Sequence, residues 1–164
     1  MGAAFFYHLT EKPLEATLPM LIGKARQAGW RVLVRGTDAA LLKRLDDLLW
    51  QGPEDGFLPH GLAGGPHDAD QPVLLGDVPA TGFGCVMAVG GADVTPVEVA
   101  ALERTCILFD GHDGAALDRA RGQWKALTDA GVAAQYWAQE DGRWTKKAEK
   151  AAVGRNPPYG AARK

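Results

Sequence analysis

Apolar and polar positions come in blocks along this chain, and the blocks switch between strand-like and helix-like lengths. Ala3 to Leu9 is an unbroken apolar and aromatic run, which predicts a buried strand. From Thr10 to Gly29, the apolar residues Leu14, Leu18, Leu21, Ile22 and Ala25 return at helical spacing. That predicts a helix capped at Thr10 or Lys12, with Pro13 near its first turn and Gly29 just past its end. Trp30 to Arg35 predicts a second strand. Asp38 then caps a second helix that turns Leu41, Leu42, Leu45, Leu48 and Leu49 inward and ends in Trp50. Strand, helix, strand, helix in that order implies an α/β protein: a Rossmann-like, mostly parallel sheet with helices on both faces.

The second half repeats the alternation with more punctuation. Gly61 to Gln71 is rich in glycine and acids and is expected to be a flexible connector. Strands are predicted at Pro72–Leu75, Gly84–Val89, Thr105–Phe109 and Val132–Gln139. A short helix opens at Thr95-Pro96 and runs through Leu102, and a longer one runs from Asp113 to Ala130, closed by Gly131. Asp141-Gly142 predicts a two-residue hairpin turn from which a charged strand, RWTKK, returns. The expected organisation is one α/β domain over residues 1–147 and a basic, flexible extension over 148–164.

Charge changes this picture locally. The formal net charge is −2, which gives no general preference for nucleic acid. From Lys146 onward, however, six cations face Glu149 alone, so this end carries +5 and the body −7. Cys85 and Cys106 fall in apolar runs and are expected as buried, reduced thiols, which suits a cytoplasmic setting, although a disulfide between neighbouring strands stays open. No export signal and no membrane-length apolar run is found.

The catalytic signatures are weak. Gly82-x-Gly84 precedes a strand instead of a helix, Gly90-Gly91 lacks the dinucleotide spacing, and no phosphate-loop lysine pattern occurs. His60, His67, Asp68 and Asp70 cluster on a glycine-rich frame too loose to preorganise a metal. The chain contains no serine, and neither cysteine has a histidine placed as its base. No catalytic residue, cofactor or metal is therefore assigned. The helix from Asp113 is more informative. Leu117, Ala120, Trp124 and Leu127 form its inner face, and Arg121 and Lys125 lie one position further round. Two cations at that spacing repel unless an anion sits between them. Tyr136 and Trp137 on the next strand are candidates for the floor of an apolar pocket beside them. Trp50, Phe57 and Pro59 read equally as a plug for the end of the sheet or as a contact patch.

Four segments carry a resemblance: AFFYHL near the start, GWRVLVRGTDAALLKRLDDLLW, GFLPHGLAGG, and RARGQWKALTDAG before the last strand. With the pattern D-x-x-L-W…F-x-P-H-x-L-A-G ending at Gly64, the chain resembles the chi subunit family of bacterial DNA polymerase III, a clamp-loader accessory family. The likeness spans about Ala3 to Trp137. It implies a Rossmann-like fold without enzymatic activity that captures the C-terminal tail of single-stranded DNA-binding protein. That tail is acidic and ends in an apolar residue with a free carboxylate. The family's basic positions map to Arg121 and Lys125, with Tyr136 nearby. The likeness also implies a second surface, for the psi subunit or a helicase-type partner, at Trp50, Phe57, Pro59 and His60. One basic family position falls on Leu117 here, and the hairpin and basic extension go beyond the family's usual end.

The expectation is thus a non-catalytic replisome adaptor joining the polymerase III clamp loader to coated single-stranded DNA, with DNA contacted mostly indirectly. The alternatives are a nucleotide-dependent enzyme on the same architecture and direct nucleic-acid binding by the basic extension.

Overall fold

The computed structural model describes residues 2–51, 60–66 and 68–152. Its elements in chain order are β1 (Ala3–Leu9), α1 (Leu14–Gln27), β2 (Val32–Arg35), α2 (Ala39–Trp50), β3 (His60–Leu62), β4 (Val73–Leu75), β5 (Cys85–Ala88), α3 (Pro96–Ala101), β6 (Arg104–Asp110), α4 (Gly114–Asp129), β7 (Ala133–Glu140) and β8 (Arg143–Lys150). The strands form one sheet in the order β3-β4-β2-β5-β6-β1-β7-β8. Every neighbouring pair is parallel except β7 and β8. This is the expected α/β architecture.

Both faces are covered because strand residues alternate. Phe5, Tyr7 and Leu9 of β1 turn to the layer of α1 and α2, where Leu18, Ile22 and Leu45 are fully buried. Ala4 and Phe6 turn to the layer of α3 and α4, with Val99 and Leu127. Asp38 caps α2 by accepting the Ala40 and Leu41 amides at 2.9 and 3.4 Å. Thr95 and Glu98 close a reciprocal capping box on α3. Asp141 at φ 53° and Gly142 at φ 79° make the hairpin turn to β8.

Two expectations need correction. Helix α1 begins at Leu14, after Pro13, not at Thr10 or Lys12. The Gln139 side-chain oxygen accepts the Thr10, Glu11 and Lys12 amides at 2.9, 2.8 and 3.0 Å, so those residues are held as a loop. The stretch Gly61–Gln71 is not a plain connector. Its start belongs to β3, which pairs in parallel with β4. Asp68 then ties the turn by accepting the Gly64 and Gly65 amides at 2.8 and 3.0 Å.

A fork joins β2 to α3 and to the loops that flank β5. Arg35, at the end of β2, donates to both Glu98 oxygens at 2.9 and 2.7 Å, and to the Asp93 and Val78 carbonyls at 3.1 and 2.9 Å. The guanidinium holds the Glu98 carboxyl down to about 2, well below the usual carboxylate range.

Candidate functional site

Helix α4 supplies the first candidate surface. Asp113 caps it by accepting the Ala115 and Ala116 amides. Ala120 and Leu127 bury against the sheet, and Leu117 and Trp124 pack half-buried beside them. The Trp124 ring meets Phe6 edge-on at 5.3 Å and Tyr136 at 6.0 Å, while Tyr136 lies parallel to Phe6 at 6.5 Å. The Tyr136 hydroxyl is 2.9 Å from His8 Nδ1. A neutral imidazole accepts that proton. Burial, partly opposed by a backbone contact at Gly111, keeps His8 below its ordinary pKa, and the charges of His112 and Arg121 act in the same sense. Arg121 also works against the upward push of burial on Tyr136.

Arg121, Tyr136 and His8 therefore share one corner of the α4 layer. The sequence missed His8 there. Its signal was a polar ring on a strand whose register sets it beside Ala138 of β7, two positions past Tyr136. Arg121 and Lys125 are strongly exposed, at 71 and 77% of their side chains. Neither waits for an anion: Arg121 pairs with Asp118 at 3.3 Å and Lys125 with Asp129 at 2.7 Å. The Asp129 carboxylate raises the Lys125 pKa. Trp137 does not join Tyr136. Adjacent strand residues face opposite ways, and Trp137 packs in the α1 and α2 layer.

The second candidate surface lies at the end of α2. Trp50 is 55% exposed, and its ring sits 4.4 Å from that of His60. The His60 side chain is buried, with Nε2 3.2 Å from the Asp46 carbonyl and 3.4 Å from its carboxylate. The structure thus brings Trp50 and His60 together, whereas Phe57 and Pro59 lie outside the described residues.

A cleft of about 660 Å³ opens at the C-terminal ends of β1, β5 and β6, beside Gly90 and Gly91. Ligands of open α/β sheets bind in this position. Its lining is mixed in charge: Glu11, Glu15, Asp110 and Asp113 share it with Lys12, Arg44, His112 and Arg119, and Asp113 already occupies the amides at the N-terminus of α4. Arg119 is engaged by Asp93 at 3.1 Å and by the Gly91 carbonyl. Among the described residues, no three His, Cys, Asp or Glu side chains converge to hold a metal. Cys85 and Cys106 are free and buried on neighbouring strands, where contact with Cys85 and burial push the Cys106 thiol up. No helix among the described residues is long and apolar enough to cross a membrane.

Fold and surfaces together define an α/β protein with a mostly parallel sheet covered by helices on both faces, with Trp50, Arg121 and Lys125 exposed on it. Residues 1–135 match the family model of the DNA polymerase III chi subunit, HolC, and the chain belongs to that family. It is accordingly a DNA polymerase III accessory subunit of DNA replication. No curated protein matches it. The family match ends at Gln135, so Tyr136, Trp137 and the β8 hairpin lie past it.

Proposed function

We propose that this subunit is a non-catalytic adaptor that captures the acidic C-terminal tail of single-stranded DNA-binding protein on the outer face of α4. The observation that carries the reading is the corner where Arg121 stands beside the Tyr136–Trp124–Phe6 aromatic stack. A carboxylate-bearing peptide end exchanges Asp118 for its own carboxylate at Arg121. Exposed pairs of this kind hold weakly, so the exchange costs little. A guanidinium grips a carboxylate with two parallel hydrogen bonds, and Lys125 adds a point charge one turn on. The terminal apolar side chain rests against the half-buried Trp124 and Tyr136. The contact is roughly micromolar and salt-sensitive.

The end of α2, with Trp50 over His60, serves as the second surface, toward the psi subunit and the clamp loader or toward a helicase-type partner. Phe57 and Pro59 belong to the same proposed patch. The adaptor does no chemistry of its own, in keeping with a strand-end cleft in which Asp113 fills the helix amides that a phosphate would use. Free buried thiols suit a cytoplasmic setting.

Calorimetric titration with a peptide copying the single-stranded DNA-binding protein terminus, with and without its last residue, tests the reading. Arg121→Ala is expected to weaken the full peptide by about 1–3 kcal/mol. Removing the peptide's last residue is expected to abolish binding. Unchanged affinity in either case refutes the site.

A further inference from the structure

A second cleft, of about 400 Å³, lies on the opposite layer, between α1 and the β7–β8 hairpin. Its composition differs from that of the first. Trp30, Trp137 and Trp144 wall it half-buried, Phe5 lies at its floor, and Lys24 and Arg104 are its cations. No Asp or Glu lines it among the described residues. The Arg104 guanidinium lies over Phe5 at 4.2 Å and over Trp30 at 5.4 Å. Trp144 leans edge-on against Tyr7 at 5.2 Å, which fixes the hairpin side of the cleft. Neither Lys24 nor Arg104 has an ion-pair partner among the described residues.

Trp137 and Trp144 lie past residue 135, where the family match ends, so that wall of the cleft comes from this chain's extension while Phe5, Lys24, Trp30 and Arg104 lie within the match. Lys146 stands opposite Trp137 in the β7–β8 ladder and so shares the cleft's face, where it pairs with Glu149 at 2.9 Å, and the chain from Lys146 onward carries +5. Flat aromatic walls, a guanidinium lying along them and a second cation, Lys24, on the same lining are what stacked bases on a phosphate backbone require.

We infer that the cleft between α1 and the β7–β8 hairpin is a binding site for single-stranded nucleic acid, with Trp30 and Trp144 as stacking platforms and Lys24 and Arg104 as phosphate partners. An acidic peptide end fits less well. It brings carboxylates but no flat ring to lie against Trp30, Trp137 and Trp144. A second copy of the chain would set two positive rims against each other. The site goes beyond tail capture at α4 and does not depend on it.

The test is anisotropy of a labelled oligo(dT) titrated with the full chain at low salt. Binding is expected, and it should weaken steeply as salt is added. Trp144→Ala should raise the Kd about tenfold, the loss expected for one stacked base. Because Trp144 also braces the hairpin, Lys24→Glu is the second variant. It reverses a charge on an exposed helix position, should likewise weaken the oligonucleotide, and should leave the circular dichroism melt unchanged. Arg121→Ala should leave oligonucleotide binding intact while losing the acidic peptide, so the two sites fail separately. No binding at low salt by the folded chain overturns the inference. So does equal affinity in both cleft variants, or an acidic peptide whose binding depends on Lys24 and Trp144.

Discussion

Replacing Arg35 by methionine removes the donor that joins β2 to α3, and the structure sets the size of the effect. Arg35 is buried, and its fork, against burial and with help from the Thr95 capping contacts, moves the Glu98 carboxyl from an ordinary 4.5 to about 2. At about 1.4 kcal/mol per tenfold change, that differential amounts to about 3 kcal/mol before screening. A quarter of the Glu98 side chain stays exposed, which trims the pair to about 2 kcal/mol. The Asp93 and Val78 carbonyls lose their donor as well, so Arg35→Met should cost about 3–4 kcal/mol in all. The sign with pH follows from the lowered carboxyl. Its contribution is full above about pH 4.5 and disappears as pH falls through 2. Urea unfolding at neutral pH and at a series of acid pH values measures both effects. In a double-mutant cycle with Glu98→Gln, a coupling near 2 kcal/mol is expected, with a shallower acid limb in Arg35→Met. A coupling below about 0.5 kcal/mol, or an acid limb identical to the parent, refutes the reasoning.

Two further outcomes follow. Gln139→Ala deprives the Thr10, Glu11 and Lys12 amides of a shared acceptor and should cost about 1–2 kcal/mol, with faster hydrogen exchange confined to those amides and their neighbours, whereas Gln139→Glu keeps the acceptor and should keep their protection. Trp50→Ala and Phe57→Ala should leave acidic-peptide affinity unchanged by calorimetry and abolish capture of the second partner; pull-downs in which both variants retain every partner would defeat that surface.

What could be read from the chain was local. Asp38, Thr95 and Asp113 announced their helices because a cap is satisfied within three residues. Asp141-Gly142 announced the hairpin because few residues adopt positive φ. The start of α1 was misplaced because its competitor, Gln139, comes from the far end of the chain. Strand β3 was hidden because three residues have no periodicity of their own and only β4 defines them. At α4, the cations were legible and so were their neighbours: Asp118 and Asp129 stand three and four residues away, at ion-pair spacing. The opposite facing of Tyr136 and Trp137 also follows from strand periodicity alone. The Arg35–Glu98 fork was not legible, since it needs β2 and α3 already in place. Residue spacing raised both proposed surfaces, leaving Trp50 open between plug and contact patch, and the family resemblance gave each surface its partner.

The two proposed surfaces are separated by construction. His60 lies on β3, the first strand of the sheet, and Tyr136 on β7, the seventh. Six strand spacings at about 4.8 Å put them about 29 Å apart along the sheet. Trp50 ends a helix of one layer, while Arg121 sits on a helix of the other. Parallel strands buried on both faces form a stiff plate, so a ligand at one edge has no packed element to displace at the other. Contacts that far apart with no common partner add independently. The proposed adaptor role needs that independence, because holding one partner must not weaken the grip on the other.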